Sequence, residues 1–125
     1  MRLLLDTHIF LWAVTGSKRL HTTARKQISA AEAVFVSAAS LWEIAIKSRL
    51  GKIDGDVEAL AAAIEDSGFQ ELAVSVRHAV AVAKLPLRLT DPFDRLLIAQ
   101  AFSEPLRLLT ADRELSAYGG AISVI

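Results

Sequence analysis

Four acids stand beside apolar runs instead of on polar faces: Asp6, Glu43, Asp94 and Asp112. Asp6 ends the leucine run of "MRLLLD", and Asp112 follows "LRLLTA". Short apolar runs of this kind read as strands buried on both faces of a parallel sheet, which puts both acids at strand carboxyl ends. Open α/β sheets place their ligands at that edge. Asp94 lies in the first turn of a helix, "DPFDRLLIAQAFSE", that a parallel crossover starts near the same edge. Three acids can therefore converge there. Carboxylates ~4 Å apart repel by roughly 4 kcal/mol per pair at an effective dielectric of ~20, so such a cluster takes up protons or binds a cation. Mg²⁺ or Mn²⁺ suits oxygen ligands and keeps several waters, one of which can attack a phosphodiester. Two ions about 3.5–4 Å apart would also steady the leaving oxygen.

Taken singly, each acid has a plainer use. Asp6 can cap the helix that follows it, and Asp112 can cap a short "RELSAYG" helix. Glu43 completes Ser40-x-x-Glu43, a capping-box spacing, and can pair with Lys47 four residues on. Asp94 suits the positive end of a helix dipole, while Asp91 supplies the cap and Pro92 takes the first helical position. Thr7, Thr110 and Ser37 bring hydroxyls to the same strand edge, where they can orient carboxylates or water, or cap helices. His8 falls in the first turn of helix one, beside the groove, whereas His21 and His78 have no acid at a ligand spacing and receive no role. No G-x-S-x-G elbow and no glycine-rich phosphate loop occurs, which excludes serine-hydrolase and P-loop chemistry. Haloacid-dehalogenase phosphatases need a second Asp two residues after the first, and that position here is His8.

The elements that must hold these acids follow from periodicity. "THIFLWAVTG" has helical spacing with Gly16 as its stop, and "TTARKQISAAEA" is a second helix that Thr22 or Thr23 can start. "AVFVS" is a β-branched strand, and Ser37 caps a helix from "SAASLWEIAIKSRLGKI" that closes at Gly51. Asp56 caps the next helix, terminated at Gly68. "QELAVS" is a short third strand, "VRHAVAVAKLP" a helix ended by Pro86, and "LRLLT" and "ISVI" are the last two strands. Strands alternating with helices over short connections imply a mainly parallel sheet covered on both faces.

Composition sets outer bounds. A chain of 125 residues suits one domain, burying roughly two thirds of its unfolded surface. At 53% hydrophobic it is too apolar for disorder, yet no run approaches the ~20 residues of a membrane helix. The first residues lack a signal-peptide pattern, which points to the cytoplasm and away from a membrane. With no cysteine, disulfides, thiolate metal sites and cysteine nucleophiles are excluded, and a metal must be held by oxygen or imidazole nitrogen. Lys plus Arg equals Asp plus Glu at 14 each, so no overall field holds a nucleic acid. The local groups Lys47, Arg49, Lys52 and Lys18, Arg19 can contact phosphates or simply form solvated faces.

Together, "LLLDTHIFLW", "SAASLWEIAIK", "DPFDRLLIAQA" and "LLTADREL" closely resemble, in order and over essentially the whole chain, PIN-domain ribonucleases of the VapC toxin type. The resemblance implies a three-layer α/β/α PIN-like fold with a mainly parallel central sheet of four to five strands, built by residues 1–125 as a single domain. It implies a Mg²⁺- or Mn²⁺-dependent endoribonuclease, the toxic component of a type II toxin–antitoxin system, dimeric and neutralised by a cognate antitoxin. The family's acidic site falls on Asp6, Glu43, Asp94 and Asp112. Asp6 and Asp94 are the expected metal ligands, and Glu43 and Asp112 complete the pocket directly or through water. A catalytically silent protein of the same fold that binds RNA or a partner is the competing expectation, and a DNA nuclease a third. Apolar residues crowding one helix (Leu41, Trp42, Ile44, Ala45, Ile46) suggest a further buried surface, a homodimer interface or an antitoxin groove. A basic partner side chain set among the acids would block the metals.

Overall fold

The computed structural model describes residues 1–125. Five strands, β1 (Arg2–Leu5), β2 (Ala33–Ser37), β3 (Gln70–Leu72), β4 (Arg107–Thr110) and β5 (Ile122–Val124), form one sheet in the order β3-β2-β1-β4-β5. Every neighbouring pair is parallel, with Leu4 of β1 opposite Phe35 on one side and Leu108 on the other. The connections carry six helices: α1 (Thr7–Thr15), α2 (Thr22–Ala30), α3 (Ala38–Arg49), α4 (Val57–Asp66), α5 (Val76–Lys84) and α6 (Pro92–Ser103).

Alternate leucines of β1 serve different layers, which is why the run is apolar throughout. Leu3 and Leu5 pack with Ile9 and Phe10 of α1, Ala24 of α2, Ile44 of α3, and Leu60 and Ile64 of α4. Leu4 faces the other way, into a second core with Leu97, Ile98 and Ala101 of α6 and with Leu115 and Tyr118. All three leucines are fully buried, each contributing ~2 kcal/mol from removal of its side chain from water. Three layers result.

One feature of the strand order matters for chemistry. The chain builds outward from β1 through β2 to β3, then returns to the opposite flank of β1 for β4 and continues to β5. The carboxyl ends of β1 and β4 therefore flank the point where the winding reverses, the place where doubly wound sheets open a crevice.

Local capping follows the sequence closely. Asp6, Ser37, Asp56 and Asp91 cap α1, α3, α4 and α6 through their side-chain oxygens. Gly16 ends α1 at φ 67°, a left-handed conformation that costs glycine little, with its N–H donating to Trp12 O. The start of α2 at Thr22 is as expected, with the cap position on His21, whose side chain makes no capping bond. Several expectations need correction. Ser40 and Glu43 form no capping box, because Ser37 already caps α3 and both residues lie inside the helix facing α1. "RELSAY" winds as a 3₁₀ helix, with Asp112 accepting from Glu114 N. The third strand is only Gln70–Leu72, since the residues after it leave the sheet for the cap of α5. Of the crowded apolar residues on α3, Ile44 enters the core and Leu41 is partly buried, while Trp42 is 60% exposed.

His78 does have a partner. Ser75 N donates to His78 Nδ1 and Ser75 Oγ accepts from His78 N, a capping box closed by an imidazole. That leaves Nε2 carrying the ring proton, which it donates to Glu104 Oε2 at 2.6 Å. Arg77 donates to the same oxygen, tying α5 to the end of α6.

Candidate functional site

A cleft of about 350 Å³ opens at the carboxyl edge beside β1 and β4, lined by Asp6, Glu43, Asp94, Asp112, Asp91, Lys47, His8, Trp12 and Ala111. All four singled-out acids are brought together, each by a separate element: the end of β1, the middle of α3, the first turn of α6 and the turn after β4.

Asp6 is 8% exposed and held from two directions. Thr7 N donates to Oδ1 at 2.6 Å and Thr110 Oγ1 donates to Oδ2 at 2.6 Å, and the Asp6 backbone N–H extends the β1–β4 ladder to Leu109 O. Thr110 Oγ1 in turn accepts from Asp112 N, so one hydroxyl links the loops after β1 and β4. Glu43, 5% exposed, has both oxygens engaged: Oε1 accepts from Thr7 Oγ1 at 2.7 Å and Oε2 pairs with Lys47 Nζ at 2.5 Å. Asp91 Oδ1 accepts from both Phe93 N and Asp94 N, fixing the first turn of α6. Thr7 and Thr110 thus do hold carboxylates, whereas Ser37 bonds Ala39 N and holds none.

The electrostatics are those of an over-charged acid pocket. Burial pushes Asp94 up to about 7, reinforced by the charges of Asp6, Asp91, Glu43 and Asp112. Burial also raises Asp6, against the pull of the hydrogen bonds from Thr110 and Thr7. Lys47 is raised by its hydrogen bond to Glu43 and by Asp91 and Asp94. It is the single lysine or arginine in a lining that holds five carboxyls.

The five carboxyls make an oxygen-rich, strongly negative donor set, which fits a hard divalent cation. No three of these side chains already surround one point at ligating distance, so seating an ion requires carboxylates to swing inward. Asp94, with no side-chain hydrogen bond holding it, is the freest to do so, and Asp6 the most rigid.

The sequence pattern places His8 only beside the groove and gives no sign that Trp12 reaches the cleft. Their signal is the i,i+4 spacing on a helix begun by a site residue, which sets both on one face of α1. Lys47 was legible as the partner of Glu43 but not as a lining residue.

A PIN domain family model matches residues 3–121. Ribonuclease VapC22 of Mycobacterium tuberculosis (strain ATCC 25618 / H37Rv) is 32% identical over 123 residues, covering 92% of this chain and 90% of that protein. The fold is similar to the crystal structure of VapBC2 from Rickettsia felis bound to a DNA fragment from their promoter, with TM-score 0.71 at 14% identity, covering 100% of this chain and 98% of that one. It is similar as well to DNA-bound VapBC from Salmonella typhimurium, with TM-score 0.70 at 19% identity, covering 99% and 98%. An all-parallel five-stranded sheet with an acidic crevice at its switch point, matched along nearly its whole length by these relatives, establishes that the chain belongs to the PIN domain family, in the group of the VapC ribonucleases.

Proposed function

We propose that the chain, acting as one domain over residues 1–125, is a Mg²⁺- or Mn²⁺-dependent endoribonuclease, the toxin of a type II toxin–antitoxin system, and that it cuts RNA at the acid cleft. The observation that carries this reading is the convergence of Asp6, Glu43, Asp94 and Asp112 from four elements on one crevice, with Asp94 pushed up to about 7. Asp6 and Asp94 would hold the cation, and Glu43 and Asp112 would join them directly or through water. Such a cation, when bound, supplies charge stabilisation for the leaving oxygen and makes a water nucleophilic near neutral pH. Thr110 and Thr7 aim Asp6, and pull against the effect of its burial, by donating to both of its oxygens through a hydroxyl and a backbone N–H. Thr7 Oγ1 and Lys47 donate to the two oxygens of Glu43 and fix its orientation.

The partners follow from the same reading: RNA as substrate, a cognate antitoxin as inhibitor, and a second copy of the chain. No helix is long and apolar enough to cross a membrane, in keeping with action in the cytoplasm. The deciding experiment incubates purified protein with structured RNA and with single-stranded DNA, with Mg²⁺, Mn²⁺ or chelator. Metal-dependent RNA cleavage, abolished in Asp6→Asn and Asp94→Asn, is the expected result. RNA bound but never cut would make the chain a silent member of its family, and DNA cut in preference would change the substrate.

A further inference from the structure

Amid a lining of carboxyls and one amine, a single large apolar side chain faces the cleft, Trp12, with only Ala111 otherwise apolar. Its ring is partly buried against the core beneath α1, so one side is already packed while the rest borders the acids. His8, one turn earlier on the same helix, has its ring centroid 6.2 Å from that of Trp12, tilted by 55°. The backbone under Trp12 is pinned: its carbonyl accepts from Gly16 N, from Ser17 N at 3.0 Å and from Arg25 Nη2 at 3.4 Å, and Arg25 also donates to Ser17 O at 2.7 Å. Little freedom is left to lose when something flat lands on this ledge.

Single-stranded RNA is held largely by stacking of unstacked bases on aromatic rings, a contact that does not suffer from negative charge nearby. The acids repel phosphates, so an uncharged surface beside them grips the strand without that penalty. We propose that Trp12, with His8 at its edge, is the stacking surface for a nucleobase next to the bond that is cut, and so a determinant of substrate choice. This rests on the ribonuclease reading. The ledge lies roughly 9 Å along the α1 axis from Asp6, six residues at ~1.5 Å each, within reach of a base flanking a phosphate at the acids.

The test has two arms. In the kinetic arm, Trp12→Leu keeps apolar packing without stacking and Trp12→Tyr keeps stacking. Trp12→Leu should raise KM for a short single-stranded RNA about tenfold, with kcat changed far less and the cut-site pattern broadened, and Trp12→Tyr should restore most of the difference. In the binding arm, Trp42→Phe leaves Trp12 as the chain's one tryptophan. Its fluorescence should be quenched by an RNA dodecamer in chelator, where no cleavage occurs, and should not respond to the sugar-phosphate analogue of that strand lacking bases. An active Trp12→Leu enzyme with unchanged KM and pattern, or Trp12 fluorescence indifferent to RNA, overturns the proposal. If Trp12→Leu does not fold, the fluorescence arm decides alone. A wild-type protein that quenches with RNA yet never cleaves would sink the ribonuclease reading and leave the stacking surface standing.

Discussion

Two clusters of charge sit at opposite ends of α6 and behave in opposite ways. At its amino end, the cleft gathers five carboxyls around one lysine, and the result is an acid, Asp94, pushed up to about 7. At its carboxyl end, Glu104 meets His78 and Arg77, and its carboxyl is lowered, mainly by the hydrogen bond from His78. The residue types are much the same. What differs is the ratio of donors to acceptors: Glu104 Oε2 accepts from two side chains, whereas Asp94 accepts from none and faces four negative neighbours. A satisfied cluster stabilises a fold, while an unsatisfied one carries a repulsion that protons or a cation would relieve. The satisfied cluster has one flaw, Gln100 Oε1, a buried acceptor with no partner, although Gln100 Nε2 donates to Ala73 O.

The largest effect should divide the clusters by activity. Asp94→Asn is expected to lower metal-dependent cleavage by about a hundredfold to a thousandfold, the usual cost of losing one group that stabilises transition-state charge. It should leave the melting temperature in chelator unchanged or higher. Glu104→Gln should leave cleavage per folded molecule within about twofold; an equal loss in both variants would erase the distinction.

Next, His78→Ala strips a partner from Ser75 N and from Glu104 in a buried setting, and should cost about 2–4 kcal/mol of stability in urea unfolding. Activity at saturating metal should survive in the fraction that remains folded.

The third contrast is the sign of pH dependence in the metal-free protein. Asp94 keeps its proton up to about pH 7 when folded but loses it near 3.8 when unfolded. Between those values the native state binds more protons, so stability falls as pH rises from about 4 to about 7 and is level above. In a cleft open to solvent the loss is on the order of 1–2 kcal/mol. Glu104, lowered below its ordinary 4.5, contributes stability above that value that is lost as pH falls through its folded value. Denaturation followed in chelator at pH 5 and pH 8 should show the first slope, and Asp94→Asn should flatten it.

The smallest effect concerns a hydroxyl at the site's edge that serves the frame alone. Ser37→Ala removes the cap of α3 and should cost ~1 kcal/mol with no change in kcat, whereas Thr110→Val, which frees an Asp6 oxygen, should lower kcat.

Much of this is legible in the sequence, and the reasons are local. The strand β1 announces itself because leucines serving two cores leave no polar position in the run, and Asp6, Ser37, Asp56 and Asp91 announce helix starts because short polar side chains capture the first free N–H groups. The convergence of Asp6, Asp94 and Asp112 follows from parallel crossovers. Glu43 is different: its place comes from the family pattern, because a residue in the middle of α3 has no edge to mark it. Glu104 and His78, 26 residues apart, meet only through the packing of α5 on α6, which no local pattern encodes. Trp12 is illegible for a similar reason: an aromatic on an apolar helix face looks the same whether it ends in the core or at the rim of a cleft.

Thr110 has one more consequence, which concerns the order of synthesis. Its hydroxyl completes the hold on Asp6, and β4 completes the flank of β1, yet the two residues are 104 positions apart. Asp6 is therefore synthesised long before the hydroxyl that binds its Oδ2, although Thr7 N, which binds Oδ1, follows immediately. The Asp6 side chain thus gains its full set of partners only once β4 has docked beside β1, so the strand order makes long-range folding a condition for assembling this corner of the cleft.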